Sequence, residues 1–237
     1  MVKTLIAAIA LAAPLVAAGA PPVFEDSIAQ RTMACTACHG KDGRAAPDGF
    51  YPRIAGKPAG YLYNQLLNFR DGRRHYGLMA RLLDPLSDKY ILEISQYFSA
   101  LDLPYSPPAT SDAPQAVLQR GQAIAMQGDA GARLPACVQC HGEALTGVSP
   151  NTPGLLGLPR DYLSAQLGAW KTGQRRAHAP DCMGEIARQL RPEDVNAVAS
   201  WLAAQPLPAD PKPVAALPRP SSIQCGSALL SAGSQKP

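Results

Sequence analysis

The sequence predicts an all-α protein made of two tandem lobes, each a small helical fold around one covalently attached cofactor. Three observations predict it. The five-residue pattern Cys-x-x-Cys-His occurs twice, as Cys35-Thr36-Ala37-Cys38-His39 and as Cys137-Val138-Gln139-Cys140-His141. The second half of the chain restates the first at an offset of about 101 to 104 residues, the signature of a duplicated unit. Apolar residues recur at helical spacing, and strand signals are scarce.

The repeated pattern is the attachment site of c-type haem. Two thiols at this spacing form thioether bonds to the vinyl groups of one haem, and the adjacent histidine offers a neutral imidazole nitrogen to the iron. Cys35, Cys38, Cys137 and Cys140 are therefore the candidate attachment residues for two haem c groups, and His39 and His141 the candidate proximal iron ligands. A zinc site would need, beyond these two Cys-x-x-Cys-His motifs, a separate Cys-x-x-Cys or a histidine-rich partner to complete a tetrahedral sphere, and the sequence has neither. A lobe of under about 100 residues gains from such a cofactor, because side chains too few to fill a core can pack against a large apolar plate.

Residues 1–20 read as a secretory signal peptide: one early charge, Lys3, then the apolar run Leu5 to Val16, then small residues suited to cleavage. The run is short for a bilayer span and is interrupted by Pro14, and no later segment offers a span. The expected location is the periplasm, an oxidising compartment. Without Lys3 the chain carries 21 basic and 18 acidic side chains, a net charge of +3. The basic residues are spread through both halves without an aromatic-basic stripe, which argues against nucleic-acid binding.

The first lobe is expected over 21–102. Tyr61, Leu62, Gln65, Leu66 and Phe69 mark one face of a helix ended by Gly72, and Ser87 is placed to cap another that carries Ile91, Ile94, Tyr97, Phe98 and Leu101. Residues 103–114, rich in Pro, Ser, Thr and Ala, read as a fairly stiff connector that holds the lobes side by side. The second lobe, 115–205, repeats the plan: Tyr162, Leu163, Leu167 and Trp170 form a helix ended by Gly173, and Pro192 opens one carrying Val195, Val198, Trp201 and Leu202. The tail, 206–237, reads as mostly irregular, with Ile223-Gln224-Cys225 as its anchoring candidate.

What fills the sixth position of each iron decides between electron transfer and chemistry on a small molecule. Met79 and Met183 are the leading candidates, 40 and 42 residues beyond His39 and His141, in predicted loops just before the last helix of each lobe. A thioether there raises the reduction potential and closes the iron to substrates. Met33 and Met126 precede the haem motifs in helix-like segments, where core packing accounts for them. His75 and His178 are the rivals, each a few residues before the chosen methionine. Pro52 and Pro153 occupy matched positions, where a backbone carbonyl could orient the proximal imidazole.

The run from Cys35 through Pro52-Arg53-Ile54-Ala55-Gly56, Tyr61-Leu62-Tyr63-Asn64-Gln65-Leu66, Phe69-Arg70-Asp71-Gly72-Arg73, Met79 and Leu86-Ser87-Asp88 resembles the cytochrome c-four family. The similarity spans about residues 25 to 205. It implies two tandem class I cytochrome c lobes related by a pseudo-twofold axis, His/Met irons, close haems and a periplasmic electron-carrier role. The second lobe departs from the family in Ala177-His178-Ala179-Pro180-Asp181-Cys182, and the Pro-rich tail with Cys225 is extra.

Four haem-attaching cysteines leave Cys182 and Cys225, an even remainder in an oxidising compartment and so a candidate disulfide. Some dihaem thiosulfate dehydrogenases use a cysteine as sixth ligand, which makes Cys182 an alternative iron ligand. Arg70, Arg73, Arg74, Lys171, Arg175 and Arg176 occupy matched loops, where they could compensate haem propionates or steer an acidic partner. The expected function is single-electron transfer from a dehydrogenase or quinol-oxidising complex toward a terminal oxidase or reductase, with no catalytic residues of its own. The alternatives are the electron-transfer subunit of one dehydrogenase, or a dihaem enzyme such as a thiosulfate dehydrogenase or peroxidase.

Overall fold

A computed structural model describes residues 25–45, 49–221 and 223–229 of the chain, so the expected signal peptide at 1–20 lies outside the described residues. The described part is mostly helical, with one two-stranded antiparallel sheet.

In the first lobe, α1 (Ile28–Arg31) and α2 (Met33–His39) lead into the proximal histidine, and a single 3₁₀ turn follows at Lys41–Gly43. The long helices are α3 (Ala59–Arg70) and α5 (Asp88–Ala100), joined through the short α4 (Gly77–Leu83). Ser87 caps α5 as its chemistry suggests, its hydroxyl accepting from the Tyr90 N–H at 3.3 Å. Leu62 and Leu67 of α3 and Ile91, Ile94 and Phe98 of α5 are buried where the two helices meet. On α5 these residues are three and four apart, the apolar stripe by which a helix buries one face.

The second lobe repeats the order. It contains α6 (Gln115–Gln127), α7 (Val138–His141), α8 (Arg160–Lys171), α9 (Cys182–Gln189) and α10 (Pro192–Ala204), the last with Pro192 in its first turn. Strands β1 (Gly147–Val148) and β2 (Thr152–Pro153) pair between α7 and α8. The core contains Ile124, Leu145, Leu163, Val198 and Leu202, with Trp201 half-buried beside it. Helices α6 and α10 cross closely enough that a Cβ on Gly121 would lie 2.1 Å from the carbonyl oxygen of Ala197. Beside that crossing, Arg120 bonds Asp194 at 2.7 Å and Asp129 at 2.8 Å, while Arg191 bonds Asp194 at 2.8 Å.

Three expectations need correction. Met79 and Met183 are not in loops: they occupy the first turns of α4 and α9. Short helices of seven and eight residues carry too little periodic signal to be told from a loop by sequence. Met33 and Met126 are 60% and 42% exposed, so core packing does not explain them. The tail is also held at more points than Ile223-Gln224-Cys225: Val214 pairs with β1 through the Gly147 carbonyl and the Ser149 N–H, Lys212 salt-bridges Asp102 at 2.7 Å, and α11 (Gly226–Leu229) docks on both lobes. The Val214 pairing and the docking of α11 use backbone groups, which composition does not reveal.

Two measurements test this packing. Gly121→Ala is expected to destabilise the protein by about 1–3 kcal/mol in denaturant titration, because the helix crossing leaves no room for a methyl group. Asp194, whose carboxyl the two arginines hold well below the usual carboxylate range, stabilises the fold above its unfolded pKa of about 3.9, and this contribution is lost as pH falls below that value. Asp194→Asn is expected to lower stability at pH 7 by about 2 kcal/mol and to flatten the fall in stability below pH 4 that the wild type shows.

Candidate haem centres and the interface between them

Each Cys-x-x-Cys-His segment leads into or lies in a short helix that ends on its histidine, and both cysteines and the histidine of each segment line one cavity. His39 and His141 are 9% and 6% exposed. The Nδ1–H of His39 donates to the Pro52 carbonyl at 2.8 Å, and that of His141 to the Pro153 carbonyl at 2.8 Å. The bond fixes the tautomer, leaving the Nε2 lone pair of each ring available to a metal. Burial is the largest influence on both rings and lowers their pKa; the carbonyl bond opposes it, and a cation adds to it, Arg74 for His39 and Lys57 for His141. Both imidazoles are therefore neutral at pH 7, the form a metal requires.

A cavity of about 940 Å³ runs through the two lobes, walled mainly by apolar groups. Its lining includes Cys35, Cys38, His39 and Met79 in the first lobe, and Cys137, Cys140, His141 and Met183 in the second. Two thiols, one oriented imidazole and one thioether around an apolar space form the donor set that suits haem c, so the residues fit the group. His75 also lines this cavity, as an exposed side chain, whereas His178 does not line it. The Cys182 sulfur is bonded to Cys225, which removes the free thiolate that iron ligation by Cys182 would need.

The lobes meet through a reciprocal lattice of arginine and glutamine. Arg74 donates to Gln65 at 3.0 Å, to Gln166 at 2.6 Å and to the Tyr162 hydroxyl at 3.3 Å. Arg175 donates to Gln166 at 2.8 Å, to Gln65 at 2.8 Å and to the Tyr61 hydroxyl at 3.5 Å. Each guanidinium also lies over an aromatic ring of its own lobe, Arg74 over Phe69 at 4.4 Å and Arg175 over Trp170 at 3.7 Å. The backbones pair beside them, His75 N–H to the Gln174 carbonyl and Arg176 N–H to the Arg73 carbonyl. Nearby, a Cβ on Gly60 would lie 2.1 Å from Asn151 Oδ1, so α3 approaches the second lobe as only glycine permits.

Most side chains of the arginine-rich loops have partners within the structure. Arg70 pairs with Asp71 and Asp88, Arg73 with Asp71, and Arg74 and Arg175 hold the interface. Lys171 donates to the Ala187 and Leu190 carbonyls at the end of α9, satisfying groups that a helix C-terminus leaves open. The connector is anchored as well: Arg53 bonds the Leu103 and Pro104 carbonyls and stacks on Tyr105 at 3.8 Å.

The cytochrome c family model matches residues 118–205. The thiosulfate dehydrogenase electron acceptor of Thiomonas intermedia is 38% identical over 196 residues, covering 83% of this chain and 86% of that protein. The chain belongs to the dihaem class I cytochromes c of the c4 type. It carries two covalently bound haem c groups. Reduced cytochrome c4 from Pseudomonas stutzeri superposes with a TM-score of 0.63 at 28% identity, over 75% of this chain and 96% of the other. A thiosulfate dehydrogenase from Marichromatium purpuratum superposes with a TM-score of 0.65 at 37% identity. This chain covers 36% of the length of that protein, and the match takes in 73% of this chain.

The sequence repeat already contained the interface residues: Tyr61 and Gln65 match Tyr162 and Gln166, and Arg74 matches Arg175. What could have revealed their role is that polar residues recur on the otherwise apolar face of a repeated helix. Gln166→Leu removes an acceptor from both guanidiniums at once, and hydrogen bonds to charged groups are each worth about 1.5–3 kcal/mol. It is expected to destabilise the protein by about 3 kcal/mol and to speed amide exchange at residues 74–76 and 174–176, read by hydrogen-exchange mass spectrometry.

Proposed function

We propose that this cytochrome accepts single electrons from a thiosulfate dehydrogenase in the periplasm and passes them to a further redox protein. As a dihaem electron-transfer cytochrome it needs a donor. The observation that carries the choice is the likeness, over 83% of this chain and 86% of the other, to a protein named as a thiosulfate dehydrogenase electron acceptor. A second protein of that name, from Stutzerimonas stutzeri, is 37% identical over 172 residues. No helix among the described residues is long and apolar enough to cross a membrane, consistent with a carrier that moves between partners.

In this reading Cys35 and Cys38 hold the first haem and Cys137 and Cys140 the second. His39 with Met79, and His141 with Met183, ligate the two irons, and the haems supply reversible one-electron chemistry. The chain supplies the rest. The Pro52 and Pro153 carbonyls keep the imidazoles aligned, the apolar walls exclude water, and the arginine–glutamine lattice keeps the two lobes at a fixed separation. Rigid donors limit the rearrangement that a change of iron charge would otherwise demand.

Two measurements check the reading. Mixing the oxidised holoprotein with a purified thiosulfate dehydrogenase and thiosulfate is expected to reduce both haems, while omission of either component leaves them oxidised. No reduction, by enzyme that reduces another acceptor in the same assay, would overturn the choice of donor. Met79→Ala and Met183→Ala are each expected to abolish the low-spin methionine-ligated spectrum of one haem and to lower its potential; a variant spectrum unchanged at both haems would remove that residue as a ligand.

A further inference from the structure

The bonds that orient the two proximal histidines repeat closely between the lobes. Both imidazoles are buried, both bond a proline carbonyl at the same distance, and the Arg74–Arg175 pair is shared across the pseudo-twofold relation. The cations that act on the two rings differ in origin: Arg74 of the same lobe acts on His39, whereas Lys57 acts on His141 from the other lobe. Lys57 follows the Pro52–Gly56 loop of the first lobe, yet its ammonium points into the second, where it donates to the Gly154 carbonyl at 3.3 Å. Gly154 is the residue next to Pro153, whose carbonyl receives the Nδ1–H of His141.

Lys57 is only 5% exposed, and its charged neighbour is Arg53, of like sign. In the repeat Lys57 corresponds to Leu158, which is buried and apolar, so the second lobe sends no matching cation back toward His39. Among the described residues no carboxylate pairs with Lys57, and the leucine at the same point of the other lobe shows that the fold does not need a lysine there. Its residual pKa of about 8, lowered by burial, leaves the ammonium charged at neutral pH.

We propose that Lys57 sets the reduction potential of the second lobe's haem from across the interface. A fixed cation in a poorly screened interior disfavours the oxidised haem, which carries one more positive charge than the reduced form, and so raises the potential of the nearer iron. Lys57 touches no reacting atom and acts through charge alone. The inference rests on the reading above that His141 and Met183 ligate the second iron.

Potentiometric titration of the holoprotein at pH 6.5, where the lysine is charged, tests it. The midpoint displaced in Met183→Ala identifies the second haem. Lys57→Met and Lys57→Gln are both expected to lower that midpoint, changing its ratio of reduced to oxidised haem at fixed poise by about tenfold, roughly 59 mV for one electron, with a much smaller change at the first haem. Lys57→Arg is expected to restore the wild-type value. Lys57→Gln keeps a donor for the Gly154 carbonyl and is the variant to read if Lys57→Met does not fold. Unmoved midpoints, a shift confined to the first haem, or a wild-type value in Lys57→Gln would overturn the inference, the last by showing that the hydrogen bond matters and the charge does not. Failure of the ligand reading shows separately, as a Met183→Ala protein with both haem spectra intact.

Discussion

Two guanidinium groups crossed over two glutamines hold this molecule in its working shape. Each lobe is too small to bury much apolar surface of its own, and much of its apolar side-chain surface lines the haem cavity rather than packing on other side chains. The lobes therefore depend on each other, and the Arg74 and Arg175 side chains supply the connection by donating to Gln65 and Gln166 of both lobes. Placing two cations side by side opposes this arrangement. Ring faces beneath each guanidinium and neutral acceptors around it offset that repulsion, and no carboxylate of the described residues pairs with either.

Around that axis the lobes have diverged in what covers them. The first has an aromatic shelf, in which Phe50, Tyr51 and Tyr76 pack together and Tyr51 meets the edge of His39 at 6.0 Å between ring centroids. In the second lobe the residue matching Tyr51 is Thr152, and the tail takes over the cover. Val214 pairs with β1, Ser221 comes within 3.5 Å of the Cys140 sulfur, and the Cys182–Cys225 disulfide fastens the tail beside Met183. From there Ser227 reaches Asn64 of the first lobe, so the tail also clasps the two lobes together. One repeated frame thus carries two different surfaces.

Much of the site was legible because haem attachment imposes a spacing that few other chemistries share. Cys35, Cys38 and His39, with their second copies, could be named from the sequence alone, and helices α3, α5, α8 and α10 followed from apolar periodicity. The short helices α4 and α9 were not legible, since one or two turns give too little period to detect. The bonds of Arg74 and Arg175 across the interface were not legible for a different reason: a loop of arginines looks alike in sequence whether it faces solvent or a second lobe.

The sequence by itself determined the chemistry, namely two haems, two oriented imidazoles and a duplicated helical frame, because covalent attachment and helix burial are written in local spacing. Only the tertiary structure decided what distinguishes the two centres. That Lys57 of one lobe ends beside the loop that orients His141 in the other, and that the tail closes over one centre alone, depends on residues 97 or more positions apart in the one case and about 80 in the other. Such contacts follow from how the lobes dock, and no local pattern of side chains encodes the docking angle of two rigid bodies.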